Sequence, residues 1–151
     1  MTSRLFRIER SSLGKIVYLW LSPDVEFPRL PFGTPFRALV VSELHPEAAR
    51  QSAICEWLAA SGCRYLMAWG QEASSWDDSM DWAALERSGY VVDADGEDFI
   101  PTTWHDGESL AEVLHFASNH AKHPTLELED LLVLRLAHSP DPEDVLGQGP
   151  R

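Results

Sequence analysis

The apolar residues of this chain come in short dense runs, and their spacing switches between strand-like and helical several times. Residues 13–21 (LGKIVYLWL) are rich in β-branched and aromatic side chains and read as a strand. Residues 22–35 hold four Pro and one Gly and read as extended loop. Residues 36–41 (FRALVV) are a nearly continuous apolar run, the pattern of a strand buried on both faces of a parallel sheet. Pro46 then suits a first helical turn, where its missing N–H costs nothing. Ala49, Ala53, Ile54, Trp57 and Leu58 recur at helical spacing, and Gly62 suits the C-terminal cap. Residues 63–69 (CRYLMAW) form a second apolar strand closed by Gly70.

Residues 75–88 predict a second helix. Trp76, Met80, Ala83 and Ala84 form one arc with Trp82 and Leu85 beside it, and Asp77, Asp78 and Asp81 fall on the other side. Residues 90–93 read as a short strand, 94–98 as a turn, and 99–104 as extended chain or a short strand. Ser109 and Glu112 make a capping box for a third helix running to about Lys122. Leu110, Val113, Leu114 and Ala117 give that helix its apolar face, and Pro124 forbids its continuation. Residues 131–137 (LLVLRLA) are the last strand. From Ser139 onward three Pro, two Gly and no apolar periodicity predict a disordered tail.

Strands alternating with helices predict an α/β fold: a three-layer sandwich with a largely parallel sheet of about five strands and three main helices. A loop and not a helix follows the first strand, residues 13–21, so that strand is expected to pair antiparallel at an edge. One domain is expected over residues 1–138, with the tail at 139–151.

Charge narrows the function classes. The net charge of −12 argues against binding a nucleic-acid backbone or an anionic membrane surface. No run approaches the roughly 18 apolar residues that span a bilayer. The N-terminus interleaves charge with apolar residues and shows no secretory signal. Cys55 and Cys63 are too few for a disulfide framework, so a cytoplasmic location is expected. The charge is also uneven. Residues 1–40 carry six basic and three acidic side chains, whereas residues 72–112 carry 12 carboxylates, one Arg and three of the six Trp.

Most candidate chemistry fails on its surroundings. Ser12 and Lys15 match S-x-x-K, but a strand follows where that motif needs a helix. His45-Pro46-Glu47 matches half of a zinc-deaminase signature whose cysteine half is absent. His120 and His123 could share a helix face, but His115 lies about 140° from His120. No metal and no cofactor is expected.

Two constellations remain. In parallel α/β folds ligands bind beyond the carboxyl ends of the strands. Those ends supply Ser42, Glu43, His45, Trp69, Gln71, Glu72, Thr102, Thr103, Trp104, His105 and Asp106, with His105 and Asp106 as a candidate catalytic acid–base pair. That arrangement would suit a small-molecule binder or an enzyme. The second constellation is the acidic helix. Asp77, Asp78 and Asp81 crowd one side at a cost of a few tenths of a kcal/mol per like-charge pair. With Glu72, Trp76 and Trp82 they make a candidate contact surface for Arg and Lys of a partner. In size and acidity the chain is similar in general character to bacterial immunity or inhibitor proteins that neutralise toxic nucleases, a likeness of composition alone. The favoured expectation is therefore a small acidic interaction protein that binds and occludes a basic protein. Self-association into a homo-oligomer, or service as a structural subunit, is a further expectation.

Overall fold

A computed structural model describes residues 5–11, 14–90 and 96–138, with the side chains of residues 5–7, 9 and 11 left aside. Ser12, most of the expected strand at 90–93 and the expected tail at 139–151 lie outside the described residues. The elements are β1 (Leu5–Ser11), β2 (Gly14–Leu21), β3 (Phe36–Ser42), α1 (Ala48–Ser61), β4 (Cys63–Gly70), α2 (Ser75–Arg87), β5 (Thr102–Trp104), α3 (Leu110–Asn119) and β6 (Asp130–Leu136).

The sheet order is β1-β2-β6-β3-β4-β5. Five strands, β2 through β5 in that order, run parallel. The chain moves one way across them from β2 through β3 and β4 to β5, then returns to β6. Parallel crossovers are right-handed, so the return must use the opposite face. That is the arrangement found. Leu58, Ile54, Trp76 and Met80 of α1 and α2 pack with Phe36, Ala38 and Val40 on one face. Val113, Leu114 and Ala117 of α3 pack with Leu39, Val41 and Met67 on the other. All seven residues of β3 are buried, which is why its sequence reads as one apolar run.

The expected antiparallel placement of residues 13–21 at an edge is not what forms. β2 lies inside the sheet and runs parallel to β6, with Val17 opposite Leu132 and Leu19 opposite Leu134. β1, in a region left unassigned by the sequence pattern, pairs antiparallel with β2 from the outside. The reason is the 22–35 segment. A parallel crossover needs about a dozen residues, and extended chain serves as well as a helix if it covers the sheet. This segment does so. Leu30 is buried, Phe32 stacks on Phe36 at 4.2 Å and Phe27 stacks on Trp57 at 4.9 Å. The Trp57 indole donates to the Pro28 carbonyl at 3.0 Å, and Arg50 donates to the carbonyls of Val25 and Ser22 at 2.8 and 3.2 Å.

α3 ends at Asn119, short of Lys122. Arg37, buried in β3, donates to the Ala117 carbonyl, the acceptor a continuing helix would offer to Ala121. The Ala121 N–H turns to Phe116 instead. The same guanidinium reaches the carbonyls of Glu129 at 2.8 Å and Asp130 at 3.4 Å, tying the end of α3 to the start of β6. At the amino ends of the strands a cavity of about 660 Å³ opens beside it, lined among others by Lys122, His123, Asn119 and Glu127.

Gly70 closes β4 at a tight approach. It pairs with Ser42, has φ +106°, and a Cβ there would stand 2.9 Å from the Ser42 carbonyl carbon and closer still to its oxygen. The next residue, Gln71, donates its N–H to that oxygen at 2.8 Å. Gly89 has φ +70° but open space around it. Gly70→Ala should therefore destabilise by about 3 kcal/mol, from clash plus strain, and Gly89→Ala by only about 1 kcal/mol from strain. Urea unfolding of the two variants checks this, and equal midpoints would show that the approach at Ser42 is not tight.

Candidate functional site

The carboxyl ends of β3, β4 and β5 are neighbours, as the rim reading requires, but their side chains do not converge. Ser42 is fully buried, and its hydroxyl has no partner among the described residues. Glu43 is engaged by Arg135 of β6, which donates to both carboxylate oxygens; the Nη2 bond to Oε1 is 3.2 Å. The Gln71 amide donates to the Glu43 carbonyl at 2.8 Å. Glu43, Arg135 and Gln71 thereby lock the strand ends together. Trp69 spends its indole N–H on the Glu108 carbonyl at 2.8 Å. Trp104, 45% exposed, alternates onto the face of Ala68 and α2, away from Thr103.

The expected His105–Asp106 pair does not form. Asp106 is exposed, and His105 is bound by other groups. Its Nδ1 lies 2.8 Å from a Glu108 carboxylate oxygen, and its Nε2 lies 2.9 Å from the Thr103 hydroxyl. The ring meets Phe116 edge-on at 4.8 Å and is 7% exposed. Sequence adjacency suggested Asp106. The bend at 106–107, where Gly107 takes φ +74°, turns Glu108 back to the ring instead.

His120 and His123 do not share a helix face, because α3 ends at Asn119. His123 uses both ring nitrogens: Nε2 donates to the Phe99 carbonyl at 2.7 Å, and Nδ1 accepts the N–H groups of Thr125 and Leu126, each at 3.1 Å. His120 comes within 5.9 Å of the His115 ring, because the helix has already ended. Burial pushes the Cys55 thiol far up and that of Cys63 up to about 12, so neither is a ready ligand or nucleophile.

The acidic surface of α2 is built differently. Trp76, Met80 and Ala83 are buried against α1 and the sheet, which leaves the opposite side outward. Trp76 is 0% exposed and edge-on to His45 at 6.4 Å, so it belongs to the core and not to a contact surface, correcting the sequence reading. Trp82 is 61% exposed. Asp78 and Asp81 are exposed beside it, Asp77 is half-buried, and Glu72 is exposed in the turn before the helix. Oxygens of Asp77, Asp78 and Asp81 all come within 4.8 Å of one another. No ion pair among the described residues reaches them: the pairs formed are Arg64–Asp98, Arg135–Glu43 and His105–Glu108. Partial burial, then repulsion from Asp78, holds Asp77 above the usual carboxylate range. Partial burial, then repulsion from Asp77 and Asp78, does the same to Asp81.

A family model covers residues 16–148. The chain belongs to that family, a domain of unknown function, DUF7684. No curated protein and no solved structure matches it. The family thus carries no assigned activity to this member, and its chemistry has to be read from the geometry. No helix among the described residues is long and apolar enough to cross a membrane.

The carboxylate cluster has a consequence for stability. An acid whose folded-state pKa is raised favours folding while protonated. That advantage is whole below the unfolded-state pKa, near 4, and is lost as pH rises through the folded value. Asp81→Asn should therefore raise stability at pH 7 by a few tenths of a kcal/mol. The gain should vanish near pH 3, where wild type is protonated too. Unfolding midpoints at the two pH values measure it, and a variant less stable at pH 7 would show that Asp81 is held by an attractive contact.

Proposed function

We propose that this protein binds and occludes a basic protein partner through the outward surface of α2. The observation that carries the reading is the cluster of three mutually repelling aspartates beside an exposed Trp, with no basic side chain of the described chain committed to it. Incoming Arg or Lys would relieve that repulsion, and Trp82 would offer a large rigid side chain of the type that dominates interface energetics. Glu72 extends the charge toward the turn at the start of the helix. Net negative charge would steer a basic partner to this surface before contact. The mechanism is occlusion: the partner's own functional surface is covered, as an immunity or inhibitor protein covers a toxic nuclease. Two free buried thiols accord with action in the cytoplasm. Exposed Trp82 and Trp104 accord equally with a second copy of the chain as an additional contact.

The test is association of partners isolated from native-host extract at low salt. With the partner purified, its association rate should fall at least tenfold between roughly 50 and 500 mM salt. Trp82→Ala should weaken affinity by about 2 kcal/mol, and Asp78→Lys with Asp81→Lys should abolish steering. A partner bound equally well by the Trp82→Ala and double-Lys variants, at a rate indifferent to salt, would remove α2 from the interface.

A further inference from the structure

The connection from β5 to α3 holds a chain of hydrogen bonds that the α2 surface does not use. Thr103 Oγ1 is 2.9 Å from His105 Nε2, and His105 Nδ1 is 2.8 Å from Glu108 Oε2. A carboxylate only accepts, so Nδ1 donates to Glu108. In the neutral ring Nε2 then accepts, and the Thr103 hydroxyl is its donor. Phe116 braces the imidazole from α3. The imidazole is shielded, whereas Thr103 and Glu108 are only half-buried.

Hydroxyl, imidazole and carboxylate in this order form the arrangement that turns an alcohol into a nucleophile: a base within reach of the hydroxyl proton, itself oriented by a third group. The position in the fold is also one where α/β sheets place ligands. After β4 the chain leaves toward the α2 face, and after β5 toward the α3 face, so the two connections diverge at the carboxyl ends. β5 ends the sheet order on that side, and among the described residues no strand lies beyond Thr103.

We propose that Thr103 is an acyl-accepting nucleophile, with His105 as its general base and Glu108 as the residue that positions the ring, acting on small neutral or cationic esters or thioesters. The Thr103 oxygen attacks the carbonyl carbon and forms a C–O bond while His105 Nε2 takes the hydroxyl proton. Collapse breaks the bond to the leaving alcohol or thiol, which receives that proton from His105. Water then attacks the acyl-threonine by the same route, releasing the acid and restoring the hydroxyl. Asp106 and Glu108 border the site, so anionic acyl groups are repelled.

The test uses the full chain and p-nitrophenyl acetate, reading nitrophenolate release together with the site of acetylation by peptide mass spectrometry. Wild type should carry acetyl on Thr103. Thr103→Ser should keep the adduct, and Thr103→Val, of similar volume, should lose it with its fold intact by circular dichroism. His105→Gln should slow acetylation about 100-fold and Glu108→Gln at least about tenfold. Should His105→Gln not fold, the Ser and Val variants at position 103 decide alone. Acetylation confined to other residues, release no faster than in buffer, or a Thr103→Val protein as fast as wild type would each overturn the proposal.

Discussion

Burial of β3 on both faces is the constraint on which the rest depends. A parallel sheet is covered on each side by its crossovers, so its central strands can carry little that is polar between their ends. In β3 the polar exceptions are Arg37 at the start and Ser42 at the finish. Polar chemistry is thereby driven to the strand ends and to the outward sides of the helices. The two apolar layers meet across one strand: Phe36, Ala38 and Val40 face α1 and α2, and Leu39 and Val41 face α3. Each large side chain so buried contributes about 1.5–3 kcal/mol. The crossover without a helix obeys the same demand, because Phe27, Leu30 and Phe32 supply the cover a helix would have given.

The way the arginines are used explains why the surface stays so acidic. Arg37, Arg50 and Arg64 bond chiefly to backbone carbonyls and not to carboxylates. Arg64 donates to Cys63, Ala59 and Glu97 at 2.7, 3.0 and 3.0 Å, joining α1 and β4 to the 96–98 turn. Burial pulls all three guanidinium groups down in pKa, with nearby Asp residues opposing it only in part. A guanidinium has five donors in a rigid fork, suited to gathering carbonyls from several segments. Cations spent on holding loops in place are not spent on neutralising helix surfaces. The aspartates of α2 are left to repel one another.

Much of this was legible in the sequence, because parallel strands and amphipathic helices write their burial directly into residue spacing. The apolar runs at 36–41, 63–69 and 131–137 became β3, β4 and β6, and Ser109 caps α3 by accepting the Glu112 N–H at 3.1 Å. What spacing did not carry was pairing. Nothing local tells whether the strand at 14–21 meets its neighbour parallel or antiparallel, because that depends on where a 14-residue loop lands. The site was half legible for a related reason. Helical period separated Asp77, Asp78 and Asp81 from the arc of Trp76, Met80 and Ala83; it was the hot-spot character of Trp, and not its spacing, that added Trp76 to the contact surface although that ring lies wholly in the core. His105 was singled out, but the groups that bond its ring were not. Asp106 was the nearer carboxylate in sequence, and only the bend at Gly107 makes Glu108 the nearer in space.

The two polar features differ in what they lack, and that difference sorts their chemistry. At Thr103, His105 and Glu108 every group has an internal partner, so the network is held in one geometry before any substrate arrives. Preorganisation of that kind would serve the acyl transfer proposed above, because no reorientation is needed when charge develops. At Asp77, Asp78 and Asp81 no ion pair forms among the described residues, and the three charges repel one another. That state favours association, since binding a cation removes a cost already present in the unbound form. α2 covers the face of the sheet on which Ala68 lies, whereas His105 packs with Phe116 of α3 on the other. The sheet therefore stands between them, and a partner seated on α2 would leave the Thr103 hydroxyl uncovered.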